Sequence, residues 1–332
     1  MRLTGTETAE HRQSQLLLED NRLLPALFGR HDEHLTQIER LLDVKLRYRG
    51  NRLDITGPEQ TREIAERAIE ALYDRLKRGL DVTPGEVDAA VRMAAAGNGA
   101  LDNARVIIRT RRRTIAPRSP VQQAYIEALD HHELVFALGP AGTGKTYLAV
   151  AKAVSLLLRG DVDRIILSRP AVEAGERLGY LPGDVHEKID PYLRPLYDAL
   201  YDMLPGDQVT SRIANGEIEI APLGFMRGRT LSDAFIILDE AQNTSPMQMK
   251  MALTRLGEGS RMTVTGDMSQ IDLPTATKSG LVDCIEILKG VKGVKLVHFT
   301  EADVVRHSLV TRIVEAYNKR DEACRGGRKG PK

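Results

Sequence analysis

Tryptophan is absent from the 332 residues, and aromatic side chains make up only 4% of them. That scarcity speaks against recognition of nucleic acid by extensive base stacking. Two cysteines, Cys284 and Cys324, are too few for a disulfide framework or a four-ligand zinc site, and they suit a reducing compartment. No stretch approaches the roughly 18 uninterrupted apolar residues of a membrane span. The opening MRLTGTETAEHRQSQLLLEDN has only Leu16 to Leu18 as an apolar patch, with charges on both sides, so the core of a secretory signal is missing. The expectation is a cytoplasmic protein with no membrane partner. Charge of one sign is also scarce: the net charge is +1, so any attraction to a polyanion must come from local patches.

What is present is an ordinary globular composition, 42% hydrophobic and 28% charged, on a chain long enough for two or three domains. After an N-terminal extension at 1–19, residues 20–80 predict a small α+β module. It reads as a helix over Glu33 to Leu42, strands at Val44 to Tyr48 and Arg52 to Thr56, and a helix over Pro58 to Lys77. Residues 81–118 read as a linker with a helix start at Thr83-Pro84. Its last part, RVIIRTRRRTIAPR from Arg105 to Arg118, carries six arginines and no carboxylate. From Ser119 to residue 318, apolar runs beginning at Leu134, Arg164, Ile218, Phe235, Met262 and Val294 alternate with helical patterns. That alternation predicts an α/β core around a mostly parallel sheet. Residues 319–332, rich in Gly, Lys and Arg, have no apolar face and read as a disordered basic tail.

Gly139-Pro140-Ala141-Gly142-Thr143-Gly144-Lys145-Thr146 is a complete GxxxxGK[ST] between a strand and a helix, followed by Tyr147. The glycines let backbone N–H groups wrap a phosphate, and the helix N-terminus adds a favourable dipole. Lys145 is expected on the β- and γ-phosphates of ATP, and the Thr146 hydroxyl on Mg²⁺. Phe235 to Leu238 delivers Asp239 to the sheet's carboxyl edge as a second Mg²⁺ group, with Glu240 placed to activate water. Gln270, in Gly266-Asp267-Met268-Ser269-Gln270, is placed to sense the γ-phosphate. Gln122, ahead of the first core strand, has an amide able to pair with adenine. Ser168-Arg169-Pro170 and Met226 to Thr230 put arginines on loops where they can clamp phosphates. His131 and His132 have no matching ligand cluster and read as a solvated loop.

Together these motifs resemble one family, the PhoH-like ATPases of the long bacterial, YbeZ-type subgroup, over roughly residues 20 to 318. The resemblance is carried by GPAGTGKTYLAVA, SRPAVEAGERLGYLPGD, DPYLRPLYDAL, MRGRTLSDAFIILDEAQNT, TGDMSQIDLP and DVVRHSLVTRIVEAY. It implies a RecA-like P-loop NTPase core related to superfamily 1 helicases, and a role for Arg306 in reading the phosphates. It also implies a homohexamer, an RNA connection, and a YbeY-type endoribonuclease of ribosomal RNA maturation as partner. The module at 20–80 looks like a KH domain whose GxxG loop has degenerated, since Phe28-Gly29-Arg30-His31-Asp32 ends in a carboxylate where the second glycine belongs.

Sixty-two residues follow Gln270, too few for a second RecA-like domain. Motor action would then need more than one subunit, with the completing arginine coming either from the chain's own Arg306 or, in a ring, from Arg194, Arg227 or Arg229 of a neighbour. The leading expectation is an ATP hydrolase coupled to RNA, with helicase or remodelling activity. A nucleotide-switched adaptor that recruits a nuclease and turns over slowly is the alternative. A small-molecule kinase is disfavoured, because such enzymes avoid a hydrolytic base like Glu240.

Overall fold

The computed structural model describes residues 13–97, 106–170, 185–274 and 277–305, with scattered positions of the last helical stretch up to 320. Arg306, the basic tail and Cys324 lie outside the described residues, as does the GERLGYLPGD part of the second motif.

The first unit builds on a three-stranded antiparallel sheet in the order β1 (Gln13–Leu17), β3 (Arg52–Thr56), β2 (Lys45–Arg49). Leu16, Leu46, Leu53 and Ile55 alternate with polar residues and put one apolar face under α2 (Glu33–Leu42) and α3 (Glu59–Lys77). The short α1 (Leu24–Phe28) closes the end of this core. Two boundaries differ from those read in the sequence. Residues 13–17 are not an extension, because β1 supplies an edge strand that pairs along the whole of β3. Much of the expected linker is α4 (Pro84–Ala95), whose Val87, Val91 and Ala94 complete the same apolar cluster. The alanine-rich run at 89–96 lacked the long side chains that would have marked a core face, so packing, not pattern strength, decides this helix.

The arginine-rich segment is a two-residue ladder, β4 (Ile108–Arg109) with β5 (Thr114–Ile115), and Ile108 plugs into the core of the second unit. Arg112 and Arg113 turn back onto the end of α7 (Val185–Met203). Arg112 donates to Tyr201 O at 2.7 Å, and Arg113 grips Asp202 Oδ1 at 2.7 and 2.9 Å.

The second unit is a six-stranded sheet in the order β11 (Val294–His298), β6 (Leu134–Leu138), β10 (Arg261–Gly266), β9 (Ala234–Leu238), β7 (Arg164–Arg169), β8 (Ile218–Pro222). Every pairing is parallel. β6 and β9 are buried at all five positions, as expected for strands covered on both faces. One apolar cluster packs α5 (Pro120–His131), α6 (Lys145–Arg159) and α7 on one face. Another packs α9 (Pro246–Leu253) and α10 (Gly280–Ile287) on the other. α8 (Gly206–Ala214) leads into the edge strand β8. The insertion of β10 between β6 and β9 puts three strand ends side by side, carrying Gly139, Asp267 and Asp239. This is the RecA-like P-loop NTPase arrangement, preceded by the smaller α+β unit.

Candidate active site

The P-loop leaves β6 at Gly139, whose backbone (φ 143°) only glycine adopts without strain; a Cβ there would also meet Phe299 O at 2.3 Å. Its N–H donates to Gly266 O at 3.1 Å, which ties the loop to β10. Gly144 (φ 83°) caps α6. Lys145 Nζ donates to the carbonyls of Gly139 and Pro140 at 2.6 and 2.7 Å. Burial holds its pKa below the ordinary lysine value, while Asp267, Glu240 and Asp239 act the other way and favour the charged form.

Asp239, at the end of β9, is buried and is gripped by two hydroxyls on Oδ1: Thr146 Oγ1 at 2.6 Å and Thr265 Oγ1 at 2.5 Å. A hydroxyl from the first turn of α6 and a carboxylate from the end of β9 are hard oxygen donors of the kind that hold Mg²⁺ through one or two protein groups and the substrate's phosphates. Thr146 and Asp239 thus fit such an ion, which when bound would neutralise charge on the phosphate oxygens.

Glu240 has a left-handed backbone, φ 51°, uncommon for a residue with a Cβ and a form of strain that collects at functional sites. Its half-buried carboxylate accepts from Gln242 Nε2 at 2.5 Å and lies 3.6 Å from Arg169, which is also 3.9 Å from Asp239. Gln242 went unrecognised in the sequence. Its Oε1 accepts the Asp267 N–H at 3.1 Å, and Ser279 donates to its carbonyl, so it joins the acid strand to β10. A polar residue two places after an acid pair was the available signal. Asp267 in turn orients Gln270, whose Nε2 donates to its Oδ2 at 2.7 Å. Ala141, Gly142, Gly144, Lys145, Thr146, Tyr147, Asp239, Glu240 and Gln270 therefore border one cavity of about 260 Å³.

Gln122, expected to pair with adenine, has its amide bonded to backbone at both ends. Its Oε1 accepts the Arg118 N–H at 2.7 Å and its Nε2 donates to Thr143 O at 3.0 Å. Both ends of the amide are engaged by backbone and the side chain is buried, so it braces the P-loop from behind. Arg229 is engaged too, with two bonds to Glu219 at 2.5 and 2.7 Å, whereas Arg194 and Arg227 are exposed. Tyr147 donates to Asp202 at 2.7 Å, and burial together with that bond pushes its phenol up to about 12. Burial works against the Asp202 carboxylate, yet the bonds from Tyr147 and Arg113 outweigh it and hold its pKa below the ordinary value.

The family model described as PhoH-like protein matches residues 114–318. The chain belongs to the PhoH-like family. A PhoH-like protein of Bacillus subtilis (strain 168) is 47% identical over 300 residues, covering 89% of this chain and 94% of its own. One from Mycobacterium tuberculosis (strain H37Rv) is 50% identical over 308 residues, covering 92% and 87%. Protein PhoH of Escherichia coli (strain K12) is 47% identical over 206 residues, 61% of this chain and 58% of its own. Among solved structures, the Sulfolobus solfataricus SWI2/SNF2 ATPase core in complex with dsDNA has TM-score 0.33 at 13% identity, covering 55% of this chain and 43% of that one. In this PhoH-like chain the family match begins at Thr114, after α4, so it takes in the whole P-loop core and leaves out the module before it. Among the described residues no helix is long and apolar enough to cross a membrane.

Proposed function

We propose that this PhoH-like chain hydrolyses ATP with Mg²⁺ and couples hydrolysis to RNA, as a homo-oligomeric ring with helicase or remodelling activity. The observation that supports hydrolysis best is the acid pair at the end of β9. Asp239 is held by the P-loop's own Thr146, while Glu240 sits beyond it with its carboxylate oriented by Gln242 and Arg169. In this reading water oxygen bonds to the γ-phosphorus as the bond to the β–γ bridging oxygen breaks, and Glu240 accepts the water's proton. Lys145 and the loop's N–H groups carry the charge of the phosphates, and Gln270 faces the transferred group.

RNA coupling is supported by the open face of the first sheet. Lys45, Arg47, Arg49 and Arg52 are exposed there, with Asp54 as the acid among them. Arg109 and Arg111 add exposed charge on the β4–β5 turn. In the degenerate KH-like loop the exposed Arg30 is offset by Asp32, which lies 3.4 Å from the Tyr48 hydroxyl and presents a carboxylate. Arg194 and Arg227 are the residues through which a neighbouring subunit would complete the site. A YbeY-type endoribonuclease is the protein partner this reading expects. The deciding measurement is the steady-state ATPase rate with and without single-stranded RNA and DNA. Stimulation by RNA supports the reading; a rate that no polynucleotide changes favours the adaptor.

A further inference from the structure

Two cavities meet at the P-loop. The first holds Lys145, Thr146 and the acid pair; the second, about 640 Å³, opens on the other flank of the same loop. Gly142, Gly144 and Tyr147 line both. The far wall of the second cavity comes from the N-terminal unit: Arg75 near the end of α3, Thr83 ahead of α4, and Glu86 in the first turn of α4. Its volume falls within the roughly 300–1,000 Å³ typical of small-ligand pockets.

A nucleotide held by its phosphates at the N-terminus of α6 has its reacting end among the acids of the first cavity, so its sugar and base must leave the loop past Gly144 and Tyr147. The groups waiting there suit a nucleoside. Tyr147 offers a ring whose position is fixed by its bond to Asp202. Arg118 offers a planar guanidinium, 38% exposed, on which a base can stack. Glu86, on the wall supplied by the N-terminal unit, lies 2.8 Å from Arg118 and 3.3 Å from Arg75, as an acceptor for ribose hydroxyls or a base N–H.

The wall is also tied to the loop it faces. Glu86 holds Arg118, the Arg118 N–H is held by Gln122, and Gln122 holds Thr143 O. From the last turn of α4, Arg92 donates to the carbonyls of Ala302 and Val304 at 3.0 and 3.4 Å, and the next residue, Val305, donates its N–H to Gly142 O at 3.0 Å. Two chains of bonds thus run from one helix of the N-terminal unit to two carbonyls of the P-loop.

We propose that the nucleoside half of the bound nucleotide lies in this seam, so that α4 and Arg75 of the N-terminal unit form part of the nucleotide site. The inference rests on the nucleotide reading of the P-loop above. It follows by linkage that whatever displaces the N-terminal unit changes nucleotide affinity, and that nucleotide changes affinity for that ligand by the same factor.

The test uses the full chain, with ATP and inorganic tripolyphosphate as separate probes, both with Mg²⁺, measured by titration calorimetry. Glu86→Gln removes the acceptor's charge at constant size. Thr83→Phe puts a ring into the cleft from an exposed position, so it leaves the fold intact even where Glu86→Gln loosens the seam. Both are expected to weaken ATP about tenfold while tripolyphosphate binding is unchanged. Equal weakening of the two probes, or no weakening of ATP by either variant, overturns the seam as nucleoside site. Lys145→Ala separates the two levels: loss of both probes supports the phosphate site itself, whereas retention of both overturns the nucleotide reading and not merely the seam.

Discussion

The two sheets of this chain do opposite things with charge. In the six-stranded sheet both faces carry helices, the inner strands β6 and β9 are apolar from end to end, and the polar groups of the site are delivered to one carboxyl edge, where Thr146, Asp239, Glu240, Thr265 and Asp267 converge. In the three-stranded sheet one face is open and the charges are spread along it at every second residue, with Arg49 directly opposite Arg52. Concentrated groups in a partly buried edge can recognise one small anion and act on it. Dispersed, solvated cations can attract a long polyanion without reading it. Under the proposed function, chemistry falls to the core and attraction of RNA to the N-terminal unit, and each half can be tested on its own.

The largest effect should come from the core. Lys145→Ala removes the charge-assisted contact to the phosphates and is expected to abolish nucleotide binding, measured by calorimetry. Glu240→Gln is expected to keep binding while slowing hydrolysis by about 10² or more, since the base is lost and the metal groups remain. A Gln variant that hydrolyses at the normal rate would show that Glu240 is not the base.

Next comes the independence of the two units, whose apolar clusters are separate. Ile55 is completely buried between the small sheet and its helices. Ile55→Ala should destabilise that unit by about 2–5 kcal/mol. The seam through Glu86 and Arg92 predicts that hydrogen exchange will also quicken in the segment near Val305, although the apolar packing there is untouched. Faster exchange confined to residues 13–95 would show that the ties transmit nothing.

Much of this division was legible in the sequence, and the reason is physical. Fully buried parallel strands such as β6 and β9 read as continuous apolar runs, the edge strands β8 and β11 showed as shorter apolar runs between helical patterns, and the first sheet's β2 and β3 stood out by alternation. What was not legible was pairing across distance. Nothing in Gln242 announces that it bridges Glu240 to Asp267. Arg112 and Arg113 look like part of a free basic strip until Tyr201 and Asp202 come to meet them. The start of α4 was legible at Thr83-Pro84, but its place in the first unit's core was not, its small side chains being core only because α3 packs against them.

A smaller effect tests the open face. Changing Lys45, Arg47 and Arg49 to Ser should weaken single-stranded RNA binding across sequences and make its salt dependence shallower, by ~0.7 in log–log slope for each phosphate no longer neutralised and so by about 2 in all. Arg112→Ser with Arg113→Ser should move the slope little, because both guanidinium groups are already bonded to α7. The reverse pattern, measured by fluorescence anisotropy over a salt series, would transfer RNA binding from the sheet to the arginine strip.

The smallest effect distinguishes a brace from a reader. Gln122 bonds Arg118 N–H on one side and Thr143 O on the other, both inside the protein. Replacing it with Ala leaves a backbone donor and acceptor unpartnered, at about 1–3 kcal/mol if water cannot reach them. The larger cleft borders Gln122, so water offsets part of that cost, and the remainder acts on the shape of the P-loop. Affinity should fall about threefold to tenfold, and equally for ATP, GTP and tripolyphosphate, since a phosphate cradle without its brace does not sense the base. A reader of adenine would leave tripolyphosphate untouched and lose only the preference of ATP over GTP. Set beside Glu86→Gln, the Gln122→Ala variant thus separates the two ends of the nucleotide: the core residue acts on the phosphates, and the residue from the N-terminal unit on what is attached to them.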